Sequence, residues 1–187
     1  MSSIEVCNTQ IKPHPTGKEL ERYIREFGER NRHLANGRRD LGYNRTELRA
    51  AWFVSHCATQ SRREKFAKAM RRHMPVDIYG KCGAHHCSRK NERECYRNME
   101  RHYKFYLSFE NSICDDYVTE KFFNILSYNV IPVTFGGANL TALGAPPRTH
   151  VDAISFGSVK KVVNYLRTLA REERLGQKFL LILNFCL

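Results

Sequence analysis

The chain has 187 residues, 42% of them hydrophobic, enough to bury one core and to make a single domain the default. Its 31 Lys and Arg against 19 Asp and Glu give a formal charge of +12, which suits a nucleotide, a nucleic acid or an anionic membrane surface and does not choose among them. Seven cysteines in a chain of this size neither form the dense framework of a small secreted module nor look like chance in a cytosolic protein, and no apolar run is long enough to cross a bilayer as a helix.

Residues 1–47 are polar, charged and punctuated by Pro13, Pro15, Gly17, Gly28 and Gly37, and only Glu19 to Leu34 carries helical spacing. From Leu48 the pattern sharpens. Ala50 to Ser55 reads as a buried strand, Ser61 to Met74 as a basic amphipathic helix, and Val76 to Tyr79 as a second strand closed by Gly80, which makes one β-α-β unit. Lys81 to Glu94 is a polar, cysteine-bearing connection, followed by a short helical turn over Arg97 to His102. A strand over Lys104 to Phe109 then leads into Glu110, Asn111 and Ser112. A polar loop delivers the chain to Tyr117-Val118-Thr119-Glu120-Lys121, with Asp115 or Asp116 as helix cap and Val118, Phe122, Ile125 and Leu126 on one face. Val130 to Phe135 is the next strand, stopped by Gly136-Gly137. The loop to His150 contains Pro146-Pro147, His150 to Ile154 is a short strand, and Ser158 caps a helix ending at Ala170.

Strand, loop, helix and strand in that order describe a parallel α/β sheet flanked by helices, in which ligands sit beyond the carboxyl ends of the strands. Glu110, Asn111 and Gly136 fall at such ends. Glu120 and Lys121 open a helix, where a lysine draws a phosphate and a carboxylate suits a sugar's vicinal hydroxyls. Together they suggest a nucleotide sugar. A capped helix with a solvated Glu-Lys pair is the plain alternative.

The stretch FENSICDDYVTEKFFNILSYNVIPVTFGG resembles the signature of the α-1,3/1,4-fucosyltransferase family: an FEN motif, a short loop, Y-[VI]-T-E-K-[FI], and a strand ending in one or two glycines. The resemblance extends upstream through AWFVSHC, Arg62-Arg63 and VDIYGKCG, and downstream to about Leu169. It implies a Rossmann-like sheet forming the C-terminal half of a GT-B-type glycosyltransferase, with a GDP-fucose-binding domain over residues 48–171. It also implies an inverting transfer of L-fucose from GDP-fucose to N-acetylglucosamine of a glycan. By the same resemblance, Arg63 and Lys121 meet the donor's phosphates, Asn111 and Tyr117 hold the nucleotide sugar, and Glu120 takes the ribose hydroxyls. Spacing alone leaves Arg63 a helix-face arginine, and leaves Tyr117 and Asn111 packing and turn residues. Glu110 either orients the donor or satisfies backbone donors at a strand end.

The family consists typically of Golgi membrane proteins with a lumenal catalytic region. The sequons at Asn44 and Asn139 agree with that setting. Cys82, His85, His86, Cys87 and Cys95 lack the spacing of a common zinc finger, so disulfide-forming or free cysteines are the preferred reading. The resemblance implies no obligatory metal or cofactor beyond the donor. Alternatives are a non-catalytic GDP-fucose-binding or partner-binding module, and a basic nucleic-acid-binding protein, for which no motif is present. The sequence departs from the family at His56, where asparagine is usual, and in the apolar tail over 172–187. Residues 1–47 are too short for the family's acceptor domain and its carboxylate base. The expectation is a donor-binding piece, with no catalytic residue assignable, that transfers fucose poorly by itself.

Overall fold

The computed structural model describes residues 47–115, 117–126, 128–143, 145 and 149–172, without the side chain of Arg89. The helix expected over Glu19 to Leu34, the sequon at Asn44, Asp116, the Pro146-Pro147 pair and the tail from residue 173 lie outside the described residues.

The strands are β1 (Ala50–Phe53), β2 (Val76–Tyr79), β3 (Phe105–Phe109), β4 (Ile131–Phe135) and β5 (Val151–Asp152). They form one parallel sheet in the order β2-β1-β3-β4-β5. The helices are α1 (Arg63–Met70), α2 (Glu92–His102), α3 (Glu120–Ile125) and α4 (Val159–Arg171), with a short 3-10 turn over Arg89–Asn91 before α2. Helices cover both faces, so the strands are near-continuous apolar runs, and β3 is buried at every residue. Alternation sorts those residues between faces. Trp52, Phe105, Leu107 and Val133 pack under α1 and α4, whereas Ala51 and Tyr106 pack under Tyr96 and Met99 of α2. The α/β, Rossmann-like expectation holds.

From β1 the chain runs outward to β2 and then returns across β1 to β3. The order therefore reverses between β1 and β3, whose pairing ends at Ala51 and Tyr106, and such a switch point is where sheets of this kind bind ligands. Gly80 closes β2 with φ +97°, and a Cβ there would come within 2.6 Å of the Val54 carbonyl oxygen.

Three local expectations need correction. The turn expected over Arg97 to His102 is the end of an 11-residue helix, α2. Its apolar stripe is narrow, chiefly Tyr96 and Met99, and its charges are ordered along the axis, with Glu92 and Glu94 in the first turn and Arg101 and His102 in the last. The α1 helix stops at Met70 and not Met74, because Pro75 disfavours helical backbone in the residue before it. The Asp115 side chain does not cap α3. Thr119 occupies the N-cap position and its N–H donates to the Glu110 carboxylate from the end of β3. Among the described residues, Cys57 pairs with Cys82 and Cys87 with Cys95, which fastens the 80–91 segment to the exit of β1 and to α2; Cys114 is disulfide-bonded as well.

Candidate functional site

Arg63 bridges the ends of β1 and β3 where the strand order reverses. Its guanidinium is buried, lies 5.6 Å over the Trp52 ring, and donates to the carbonyls of Phe109 and, at 3.2 Å, His56. Arg62, in contrast, is exposed and takes a left-handed backbone (φ 55°) that turns the chain into α1. Burial pushes the Arg63 pKa down, partly opposed by the carboxylates of Glu110 and Glu64, and the side chain stays cationic. Its Nε is buried without a hydrogen-bond partner. His56 serves this clamp through its main-chain carbonyl while its side chain is exposed, which explains how histidine is accommodated at that position. Ser61 stitches the same loop to β3, its N–H donating to the Asn111 carbonyl at 2.9 Å and its hydroxyl to the Glu110 carbonyl at 2.8 Å.

Glu110 follows β3 directly, and its side chain is 5% exposed. Its carboxylate accepts the Thr119 N–H at 2.8 Å and the Lys121 ammonium at 3.3 Å, and both oxygens lie within 2.9 Å of the Thr119 hydroxyl. Lys121 also donates to the Thr119 hydroxyl at 2.7 Å and to Glu120 at 3.4 Å. The Glu120 carboxylate itself reaches solvent, 63% exposed. Asn111 keeps a buried Oδ1 without a hydrogen-bond partner. The phenol pKa of Tyr117 is raised by burial first and then by the carboxylates of Glu110 and Glu120.

Beyond the carboxyl ends of β3, β4 and β5 opens a cavity of about 490 Å³, lined by Glu110, Tyr117, Phe122, Gly136, Asn139 and His150, among others. Gly137 has no room for a side chain, because a Cβ would run into the Cys114 backbone. The His150 pKa is lowered by burial, with Asp152 opposing, and the ring stands edge-on to Phe122 at 5.5 Å. Among the described residues no group of three or more His, Cys, Asp or Glu is placed to hold a metal ion.

Of the residues singled out from the sequence, Glu110 links Lys121 to the Ser61 end of the Arg63 loop and lines the cavity together with Tyr117, Asn111 adjoins it, and Glu120 stands outermost. Arg63 is buried against the end of β3, not on the cavity wall. Asn139 is exposed at the cavity, its Oδ1 accepting the Ala142 N–H at 3.1 Å. Sequence reasoning did not find Ser61, Thr119 or His150. Only Thr119 carried a signal, a threonine preceding two charged residues at a helix start.

Comparison with known proteins is consistent throughout. Residues 43–181 match the model of the glycosyltransferase family 10 (fucosyltransferase) C-terminal region. An α-(1,3)-fucosyltransferase C of Drosophila melanogaster is 46% identical over 133 residues, covering 71% of this chain and 31% of that protein. A glycoprotein 3-α-L-fucosyltransferase A from the same organism is 40% identical over 144 residues, 75% of this chain and 28% of that protein. The chain thus spans less than a third of the length of either relative. The crystal structure of an α1,3-fucosyltransferase with GDP-fucose superposes with a TM-score of 0.63 at 22% identity, over 83% of this chain and 44% of that one, a likeness of fold. With most of its length matched by the family model and its sheet shared with a fucosyltransferase, the chain belongs to glycosyltransferase family 10, the fucosyltransferases.

Proposed function

We propose that this chain carries the GDP-fucose site of an α-1,3-fucosyltransferase that passes L-fucose to an N-acetylglucosamine of a glycan. The observation that carries the reading is that Asn111 follows the end of β3, that Lys121 is bonded back to Glu110 there with Glu120 beside it, and that Tyr117 lines a cavity of about 490 Å³ at the same strand end, where Arg63 is bonded to the Phe109 carbonyl. In this reading Lys121 meets the diphosphate with the buried charge of Arg63 behind it, Asn111 and Tyr117 hold the nucleotide sugar, and the solvent-reaching Glu120 accepts from the ribose hydroxyls.

The reaction is an inverting displacement. A base takes the proton of the acceptor hydroxyl, that oxygen attacks the anomeric carbon, and the bond to the β-phosphate oxygen breaks with its electron pair leaving on GDP. Negative charge grows on the phosphates as GDP departs, and two fixed cations, Arg63 and Lys121, stabilise it without a metal ion. No residue is assigned as the base. A lumenal Golgi location, anchorage of the whole protein in the Golgi membrane, and N-glycans at Asn44 and Asn139 belong to the same reading. The disulfides Cys57–Cys82 and Cys87–Cys95 support it through the oxidising compartment they require.

Calorimetric titration with GDP-fucose and GDP tests the donor site. Guanine-nucleotide binding by the chain, weakened about tenfold in Lys121→Ala and in Glu120→Ala, is the expected result. A folded chain that binds neither nucleotide, or that binds arbitrary oligonucleotides as tightly, overturns the reading.

A further inference from the structure

We infer that Glu110 is a positioning residue, which acts on the donor's phosphates through Lys121. This rests on the donor reading above. Lysine is a flexible point charge, and fixing it before a ligand arrives removes an ordering cost that binding would otherwise bear. Here the ammonium has three acceptors, Glu110 Oε2 at 3.3 Å, Thr119 Oγ1 at 2.7 Å and the exposed Glu120 carboxylate at 3.4 Å, and the first two lie in the part-buried interior of the segment. The Thr119 hydroxyl is itself set by Glu110, since it has the carboxylate oxygens at 2.8 and 2.9 Å. Lys121 is correspondingly only 23% exposed.

Glu110 is fixed in its turn. Its carbonyl accepts the Ser61 hydroxyl at 2.8 Å, and the glycine at the exit of β4 is what makes room for its stem, because a Cβ on Gly136 would stand 3.3 Å from Glu110 Cγ. The carboxylate therefore transmits the rigid end of the sheet to a side chain eleven residues further along the chain.

Both oxygens are used, and this makes glutamate specific. Oε1 accepts the Thr119 N–H and Oε2 accepts the Lys121 ammonium. Glutamine would have to turn its NH2 toward one of these donors, and aspartate is one methylene short. An ordinary strand-end carboxylate that only satisfies backbone N–H groups would have no effect on Lys121.

The experiment compares GDP with guanosine, using the full chain and the variants Glu110→Gln, Lys121→Ala and the pair together. Glu110→Gln should weaken GDP binding about tenfold, leave guanosine binding unchanged, and add nothing further on top of Lys121→Ala. Amide exchange at Thr119 in the ligand-free chain should also quicken in Glu110→Gln. Equal loss of both ligands, or additive losses in the double variant, would overturn the assignment. A wild-type chain that binds GDP no better than guanosine instead overturns the donor reading. The exchange result then decides for or against Glu110's hold on this segment by itself.

Discussion

Arg63, the first residue of α1, donates to the main-chain carbonyl of Phe109, the last residue of β3, across the point where the strand order reverses. The same guanidinium reaches the His56 carbonyl beyond β1, so a single side chain joins the two strand ends that part there. In an α/β sheet that parting is where ligands bind. The side chain that bridges it is therefore structural whatever else it touches.

Arg63→Ala should accordingly destabilise the fold. It leaves two strand-end carbonyls short of a donor and a void against Trp52, an effect of about 3–5 kcal/mol for losing a buried, charged hydrogen-bonding group. Arg63→Lys retains the charge and one bond and should fall in between. Urea denaturation measures both. A loss below about 1 kcal/mol in Arg63→Ala would mean that the clamp is dispensable.

His150 gives stability a pH dependence of known sign. Burial beside Phe122 lowers its folded-state pKa below the usual 6.5, so below that pH the unfolded chain binds the proton more readily than the folded one. The contribution of this residue is complete above about pH 6.5 and is lost as pH falls through the lowered folded value. His150→Gln should flatten that part of the profile of stability against pH. An unchanged slope between pH 6.5 and 5 would show that His150 is not its source.

The Cys57–Cys82 disulfide closes a 25-residue separation and ties the segment that follows β2 to the residue next to His56. Replacing both cysteines with serine should lower stability by about 2–4 kcal/mol. It should also loosen the loop whose His56 carbonyl holds Arg63, which quickened amide exchange over residues 55–61 would report. Exchange there that matches the wild type would confine the bond's role to overall stability.

Asn139 stands exposed at the cavity with Thr141 of its sequon beside it. Produced in a secretory eukaryotic host, the chain should carry a glycan at Asn139, seen as a mass shift removed by glycosidase and absent in Asn139→Gln. An unmodified Asn139 in secreted, disulfide-bonded material would refute the assignment.

The sequence by itself determined the strands, the long C-terminal helix and the family. Strands buried on both faces read as short apolar runs, and Ser158 followed by helical spacing marks α4, its hydroxyl accepting the Lys161 N–H as a cap should. These signals are local, set by side-chain periodicity over a few residues. Only the tertiary structure decided where Arg63 points, what Glu110 holds and which cysteines pair. The partners concerned are separated by 46, 11 and 25 residues for Arg63 and Phe109, Glu110 and Lys121, and Cys57 and Cys82. No period links such residues; the return of the chain across β1 to β3 brings the ends of distant strands together, and a buried guanidinium or carboxylate then takes whichever partners satisfy it. The narrow stripe of α2 lies between these cases. Tyr96 and Met99 are too few to stand out among its charges, and the helix becomes evident only with the sheet face they cover.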